Sequence, residues 1–361
     1  MSTRRTFIKN SGLIAAASFF PFHSSFGNNE NKKLGVALVG LGYYSTDLLA
    51  PALQLTENCE LRGIVTGSPE KIPVWQKKYN IKDSNVYNYQ NMDSIANNDD
   101  IDVIYIVLPT GLHAEYAIKA ANTGKHVWCE KPMARTAKEC QSIMDACRKN
   151  KVKLSIGYRM QHETNTQLIS KWAHSNPYGA IEKVISQAGY NGGTITPWKL
   201  VKEMGGGAIY DMGVYTINAA RYSTGLEPIA LTAERSTRRP EIFTEVDETT
   251  TYTLEFPQGI IVNGKTSFGE NLNNLDVTCA EGSYYLRPMQ AYSGVSGRTS
   301  DGKILEPMKK NQQAKQMDDD AMAIMNNKNV LVPGLEGLKD ITIVEAINES
   351  ALANGKRIVF K

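Results

Sequence analysis

The sequence predicts an α/β protein: an N-terminal doubly wound parallel sheet, then an α+β domain built on a large, open, mostly antiparallel sheet. Two observations predict this. Between Leu34 and Ile156, short apolar runs alternate with helix-compatible stretches, the pattern of a parallel sheet covered on both faces. Beyond Gly157, strand-like runs follow one another with few helices between them, which suits an antiparallel sheet. The 361 residues accommodate two domains of about 150 residues each. The spacing places them at 34–157 and 158–361, with a short linker at 28–33.

The first element is not part of the fold. Thr3-Arg4-Arg5-Thr6-Phe7-Ile8-Lys9 precedes an apolar run, Gly12 to Phe20, too short to span a bilayer, and the small residues Ser24, Ser25 and Gly27 follow. This order makes residues 1–27 an export signal, and the paired arginines before Phe-Ile-Lys point to the twin-arginine route. The mature chain is expected to be periplasmic, without a membrane anchor. Strands are predicted at Leu34–Val39, Glu60–Thr66, Ile101–Leu108, His126–Cys129 and Val152–Ile156, and helices at Leu112–Asn122 and Thr136–Lys149. In the second domain, Met204-Gly205-Gly206-Gly207 leads into a helix that runs to about Ser223. Strands follow at Ile229–Arg235, Thr249–Phe256, Gly259–Thr266, Leu275–Cys279 and Tyr284–Arg287, with Pro257-Gln258-Gly259 as a hairpin connection. Helices around Gln316–Met325 and Leu338–Ala353 close the chain, and Asp318-Asp319-Asp320 reads as a solvated helix face.

Charge and cysteine content narrow the function. The formal charge is +3, and Arg4, Arg5 and Lys9 of the signal account for it, so the mature chain is neutral. A nucleic-acid partner is not expected, because phosphate binding demands a basic face. Cys59, Cys129, Cys140, Cys147 and Cys279 are odd in number and irregular in spacing, so they read as buried small apolar residues and not as a disulfide framework. No metal is expected.

Two groups of residues carry chemistry. Gly40-Leu41-Gly42-Tyr43-Tyr44-Ser45 follows the first strand and opens a helix. Gly40 permits the tight turn, and Gly42 lets backbone approach a pyrophosphate at the helix start. An NAD-preferring fold ends its second strand in an acid; this chain has Val65-Thr66-Gly67-Ser68-Pro69-Glu70-Lys71 there. Ser68 and Lys71 suit a 2′-phosphate, so NADP is the expected cofactor and NAD the less expected one. At other strand ends stand Leu108-Pro109-Thr110 and Glu130-Lys131-Pro132, where open α/β sheets bind ligands. Asp211, Tyr215 and Asn218 share a helix face. A tyrosine becomes a useful base only beside a cation, and Lys131 is the candidate cation.

These residues together resemble the Gfo/Idh/MocA oxidoreductase family, and within it the glucose–fructose oxidoreductase branch. The matching pieces are Gly40-Leu41-Gly42, Leu108-Pro109 with His113, Gly124-Lys125-His126-Val127 running into Glu130-Lys131-Pro132-Met133-Ala134, Gly157-Tyr158-Arg159, Trp198, and Gly205-Gly206-Gly207 through Asp211 and Tyr215. Many members carry histidine where this chain has Tyr215. The resemblance implies a Rossmann domain and hydride transfer between nicotinamide and a sugar or polyol carbon. It implies Lys131, Asp211 and Tyr215 as catalytic residues, and a substrate site formed by them with Tyr158 and Lys199. It implies a cofactor site of Gly40, Gly42, Tyr43, Tyr44, Ser68, Lys71, Leu108, Pro109, Thr110, His113, Glu130, Lys131, Arg159 and Trp198. It also implies a homodimer or homotetramer through the C-terminal sheet. Two other readings stay open: a glycoside hydrolase working by transient oxidation with NAD, and a non-catalytic dinucleotide- or sugar-binding protein.

Overall fold

The computed structural model describes residues 33–191 and 195–360; the export signal and most of the linker lie outside the described residues. Strands β1 (Leu34–Val39), β2 (Cys59–Val65), β3 (Val86–Tyr87), β4 (Val103–Ile106), β5 (His126–Cys129) and β6 (Leu154–Ile156) form a parallel sheet in the order β3-β2-β1-β4-β5-β6. Successive strand residues point to opposite faces, so β1 sends Ala37 and Val39 into one core and Val36 and Leu38 into the other. The first core is closed by α3 (His113–Asn122) and α4 (Ala137–Lys149) through Ala117 and Ile143. The second is closed by the short α1 (Ala50–Leu53) and by α2 (Ile72–Tyr79) through Leu53 and Trp75. Thr136 caps α4 by accepting the Glu139 amide at 3.1 Å. The sequence reading has no counterpart of α2 or β3.

After α5 (Thr164–Ser175), a second sheet is built from β7 (Ile181–Gly189), β8 (Ala230–Ser236), β9 (Thr249–Glu255), β10 (Ile261–Ser267), β11 (Leu272–Cys279), β12 (Gly282–Leu286), β13 (Gly297–Thr299), β14 (Ile304–Leu305) and β15 (Ile358–Val359). Its order is β14-β13-β12-β11-β7-β10-β9-β8-β15, antiparallel except for the β7–β10 pair. The β9–β10 connection turns through Gln258 and Gly259, both in the left-handed region, at φ 64° and 78°. The sequence reading missed β7, the strand that joins β10 to β11. Helix α6 (Val214–Thr224), which continues a π-wound turn at Ile209–Gly213, packs on β7 and β10.

The last helices, α7 (Gln312–Met325) and α8 (Gly334–Leu352), return to the first sheet. Ala314, Met317 and Ala321 of α7 complete the core around Val36, Leu38 and Trp128, and the Ile156 amide of β6 donates to Val332 just before α8 at 2.9 Å. This docking corrects the reading of Asp318-Asp319-Asp320 as a solvated face. The Asp318 carboxylate accepts the Glu57 and Asn58 amides at 2.9 and 2.8 Å, and Asp319 Oδ2 stands 2.7 Å from His162 Nδ1. Asp320 is fully buried, accepting the Ser155 hydroxyl at 2.8 Å, and burial pushes its carboxyl up to about 6. All five cysteines are buried and free.

Candidate active site

The carboxyl ends of β1, β4 and β5 open on a cleft of about 720 Å³, whose far wall comes from residues 196–215 and Tyr292. At the end of β1, Gly40 has φ 92°, and a Cβ there would stand 2.4 Å from the Val107 carbonyl oxygen. Gly42 faces open space, with nothing within 4 Å of an added Cβ. Where the third small residue of the turn is expected, the Ser45 hydroxyl donates to the Gly40 carbonyl at 2.6 Å and braces it. Tyr43 and Tyr44 line the same mouth. At the end of β2, Ser68 and Lys71 line the cleft and Glu70 does not. Lys71 Nζ donates to the Leu41 carbonyl at 2.8 Å, which stretches the side chain across the glycine turn.

The ends of β4 and β5 are tied together. Leu108, Pro109 and Thr110 line the cleft, but His113 is buried behind them. Its ring nitrogens lie 2.8 Å from the Leu108 and Pro132 carbonyls. Burial lowers its pKa, so the neutral ring donates to one carbonyl at a time. Glu130 accepts the Tyr105 hydroxyl at 2.5 Å and the Lys131 amide at 3.3 Å. Burial pushes its carboxyl up to about 7, against those hydrogen bonds. The abrupt polar end of an apolar strand is thus explained: the acid turns inward, and the lysine is sent across the cleft.

The far wall begins at a glycine seam. A Cβ on Gly111 would stand 2.5 Å from the Glu203 carbonyl oxygen, and one on Gly205 would stand 2.7 Å from Thr110 Cβ. The glycine run therefore admits neighbouring protein chain, with Gly205 alone of the three also lining the cleft. Asp247 starts the helix beyond it by accepting the Ile209 amide at 3.0 Å. Asp211 then meets two lysines. Lys131 Nζ donates to its carbonyl at 3.0 Å and lies 3.8 Å from Oδ1, while Lys199 Nζ is 2.6 Å from Oδ2. Burial would raise the Asp211 pKa; Lys199 and Lys131 outweigh it and hold the carboxyl below its usual range. For Lys199, burial works against the charge and Asp211 more than restores it. Lys131 Nζ sits 4.5 Å from the centroid of the Tyr215 ring.

Lys131, Asp211, Tyr215, Lys199 and Trp198 therefore meet on the same cleft as the glycine turn. Tyr158 and Arg159 do not line it; each is 1% exposed. Asn218, on the face of Asp211 and Tyr215, is buried deeper and donates to Asp340 at 3.0 Å. Among the residues missed are two tyrosines. Tyr190 places its hydroxyl 3.5 Å from both Asp211 Oδ2 and Lys199 Nζ, and Tyr292 lines the mouth with its ring 6.1 Å from that of Tyr44. Tyr190 follows the strand that was itself missed, and Tyr292 lies in irregular chain that carries no periodic signal.

Comparison with known proteins agrees with this geometry. Residues 34–158 match GFO_IDH_MocA, the oxidoreductase family with an NAD-binding Rossmann fold, and residues 166–285 match the GFO/IDH/MocA C-terminal domain. The crystal structure of aldose-aldose oxidoreductase from Caulobacter crescentus, complexed with glycerol, superposes with a TM-score of 0.87 at 34% identity, covering 91% of this chain and 100% of that one. D-xylose 1-dehydrogenase [NADP(+)] of Haloarcula marismortui is 25% identical over 337 residues, 87% of this chain and 90% of the relative. The NADP(+)-dependent scyllo-inositol 2-dehydrogenase of Bacillus subtilis is 25% identical over 217 residues, 59% of this chain and 58% of the relative. Matches that take in both sheets and the residues of the cleft make this chain a member of the Gfo/Idh/MocA oxidoreductase family.

Proposed function

We propose that the chain is an exported, NADP-dependent oxidoreductase that moves hydride between the nicotinamide and a sugar or polyol carbon. The observation that carries this is the meeting of Lys131, Asp211 and Tyr215 on the cleft that the glycine turn opens. The turn suits a dinucleotide: Gly42 leaves its Cβ direction empty, as close approach of a pyrophosphate requires. Gly40, Gly42, Tyr43 and Tyr44 would hold the phosphates and the mouth; Leu108, Pro109, Thr110 and Trp198 would flank the nicotinamide. NADP over NAD is supported by Lys71 on the lining with Glu70 off it, and by the NADP specificity of two relatives. When bound, the nicotinamide accepts or returns hydride.

In the oxidation direction Tyr215 takes the proton of the hydroxyl whose carbon loses hydride. Lys131, above the Tyr215 ring, orients that hydroxyl and favours the phenolate. Asp211, kept ionised by its lysines, accepts hydrogen bonds from neighbouring sugar hydroxyls, and Lys199 fixes its carboxylate. Sugar and polyol specificity in the relatives supports this substrate class. Export by the twin-arginine route to the periplasm, and a homodimer or homotetramer through the open face of the second sheet, complete the proposal. No helix of the described residues is long and apolar enough to cross a membrane.

The absorbance and mass of nucleotide copurifying with the chain test the cofactor: a species lacking the 2′-phosphate would overturn the NADP assignment. Tyr215→Phe tests the chemistry. It should lower kcat by roughly 10² to 10⁴ while cofactor binding holds, and unchanged turnover would remove Tyr215 from the reaction.

A further inference from the structure

Arg159 carries a charge that the site as described does not use. It is 1% exposed. Its guanidinium donates to the Ala291 carbonyl at 2.6 Å, to Gln290 Oε1 at 3.1 Å, to Gln312 Oε1, and contacts Met160 Sδ at 3.0 Å. Every one of these partners is neutral. Among the described residues, no carboxylate lies within ion-pair distance of it. A buried charge left without a counter-ion is costly, so the partner has to be sought among groups that can become anions.

Two phenol rings flank the guanidinium, with the centroid of Tyr215 at 5.6 Å and that of Tyr292 at 4.8 Å. The other cations of this corner each have a carboxylate within ion-pair distance: Lys131 and Lys199 both reach Asp211, at 3.8 and 2.6 Å. Glu130 is the remaining acid nearby. Its carboxyl, pushed up by burial to about 7 and engaged by the Tyr105 hydroxyl, is only part-ionised at neutral pH. The groups around Tyr215 are Lys131 from the end of β5, Tyr158 and Arg159 after β6, Tyr44 after β1, and Tyr292, and Glu130 and Asp211 line the same cleft. Of these, Arg159 alone brings a positive charge with no carboxylate within ion-pair distance among the described residues.

We propose that Arg159 is the positioning cation of Tyr215, and that its counter-ion is the Tyr215 phenolate. That anion is the form that accepts the hydroxyl proton in oxidation, and the form left behind when the phenol protonates a carbonyl oxygen in reduction. Arg159 holds the 290–292 segment, and with it Tyr292, over the same ring. It acts through Tyr215, a role beyond the cofactor contact that the family resemblance implies for it. This rests on the role given to Tyr215 above.

Gln312→Glu tests it. Gln312 is buried, touches the guanidinium and lies outside the cleft, so the substitution adds one carboxylate beside Arg159 at almost no change of shape. A unit charge 5.6 Å away at an effective dielectric of about 20 is worth roughly two pH units. Neutralising it should move the acid limb of the kcat–pH profile for sugar oxidation upward by about one to two units. It should lower kcat at pH 7 by roughly 10- to 100-fold, with the melting temperature and the Kd for NADP held. A folded Gln312→Glu enzyme with an unmoved limb would overturn the inference and leave Arg159 as a structural anchor. Should that variant not fold, Arg159→Lys should keep the limb within about half a unit while Arg159→Gln moves it; identical profiles for the two overturn the inference. Tyr215→Phe separates the two failures: retained turnover there sinks the role of Tyr215 itself, whereas lost turnover beside an unmoved limb sinks only the role of Arg159.

Discussion

The two glycines of the first turn should respond to one methyl group in opposite ways. In Gly40→Ala the added carbon would lie 2.4 Å from the Val107 carbonyl oxygen and 2.7 Å from Leu108 Cδ2, at φ 92°. A side chain in that region costs about 1–2 kcal/mol before any overlap, and displacing a packed strand end adds a similar amount. About 3 kcal/mol results, worth roughly 4–5 °C in a chain of this size. In Gly42→Ala the methyl meets nothing within 4 Å, so the melting temperature should stay within about 1 °C. On the proposed placement of the pyrophosphate that methyl stands in its way, and the Kd for NADP should rise at least ~30-fold, or about 2 kcal/mol. Differential scanning fluorimetry with and without NADP, together with a fluorescence titration of NADPH, reads both quantities. Wild-type affinity in Gly42→Ala would refute the placement of the dinucleotide on this turn.

Other outcomes follow from the same geometry. Lys71→Glu should invert cofactor preference, raising the Kd for NADP at least about tenfold over that for NAD; parallel titrations that keep the wild-type ratio would exclude Lys71 from 2′-phosphate recognition. Asp320, raised by burial to about 6 from an ordinary carboxyl value of 3.8, holds its proton more tightly folded than unfolded. Its contribution is therefore fully present at low pH and is lost as pH rises from about 4 to 6, by up to about 3 kcal/mol. Asp320→Asn should flatten the melting temperature across that window, and a variant less stable than the parent at every pH would mean that the ionised carboxylate is needed. Asp247→Ala leaves the buried Ile209 amide and the Thr250 hydroxyl without the acceptor they meet at 3.0 and 2.7 Å. It should cost about 1–3 kcal/mol by thermal or urea melt, and no loss would show that the turn finds another acceptor.

What the sequence reveals here is what local rules govern. β1 and β5 run over the predicted residues because a strand buried on both faces is written as continuous apolar residues between sharp stops. The glycine turn and the Glu-Lys-Pro stop are legible for the same reason. β7 escaped because one of its faces is half-exposed: Glu182-Lys183 and Gln187 break the apolar run, and Tyr190 beyond it was lost with it. The acidic triplet misled for a geometric reason. Consecutive helical residues turn by about 100°, so three identical side chains point to a loop, to a histidine and to the interior. Arg159 shows the other limit: a motif can name a residue, but only the fold shows that, among the described residues, no carboxylate stands within ion-pair distance of it.

The seam at Gly111 and Gly205 has a consequence for substrate choice. Where Gly111 rests on the Glu203–Met204 main chain and Gly205 on the Thr110 side chain, neither segment can tilt or slide without tearing open a void. The distance from the strand ends to Asp211 is thereby a fixed gauge rather than an adjustable jaw. Altering which sugars are accepted has to proceed at the rim, where Tyr43 and Tyr292 are 65% and 44% exposed, and not by prising the halves apart.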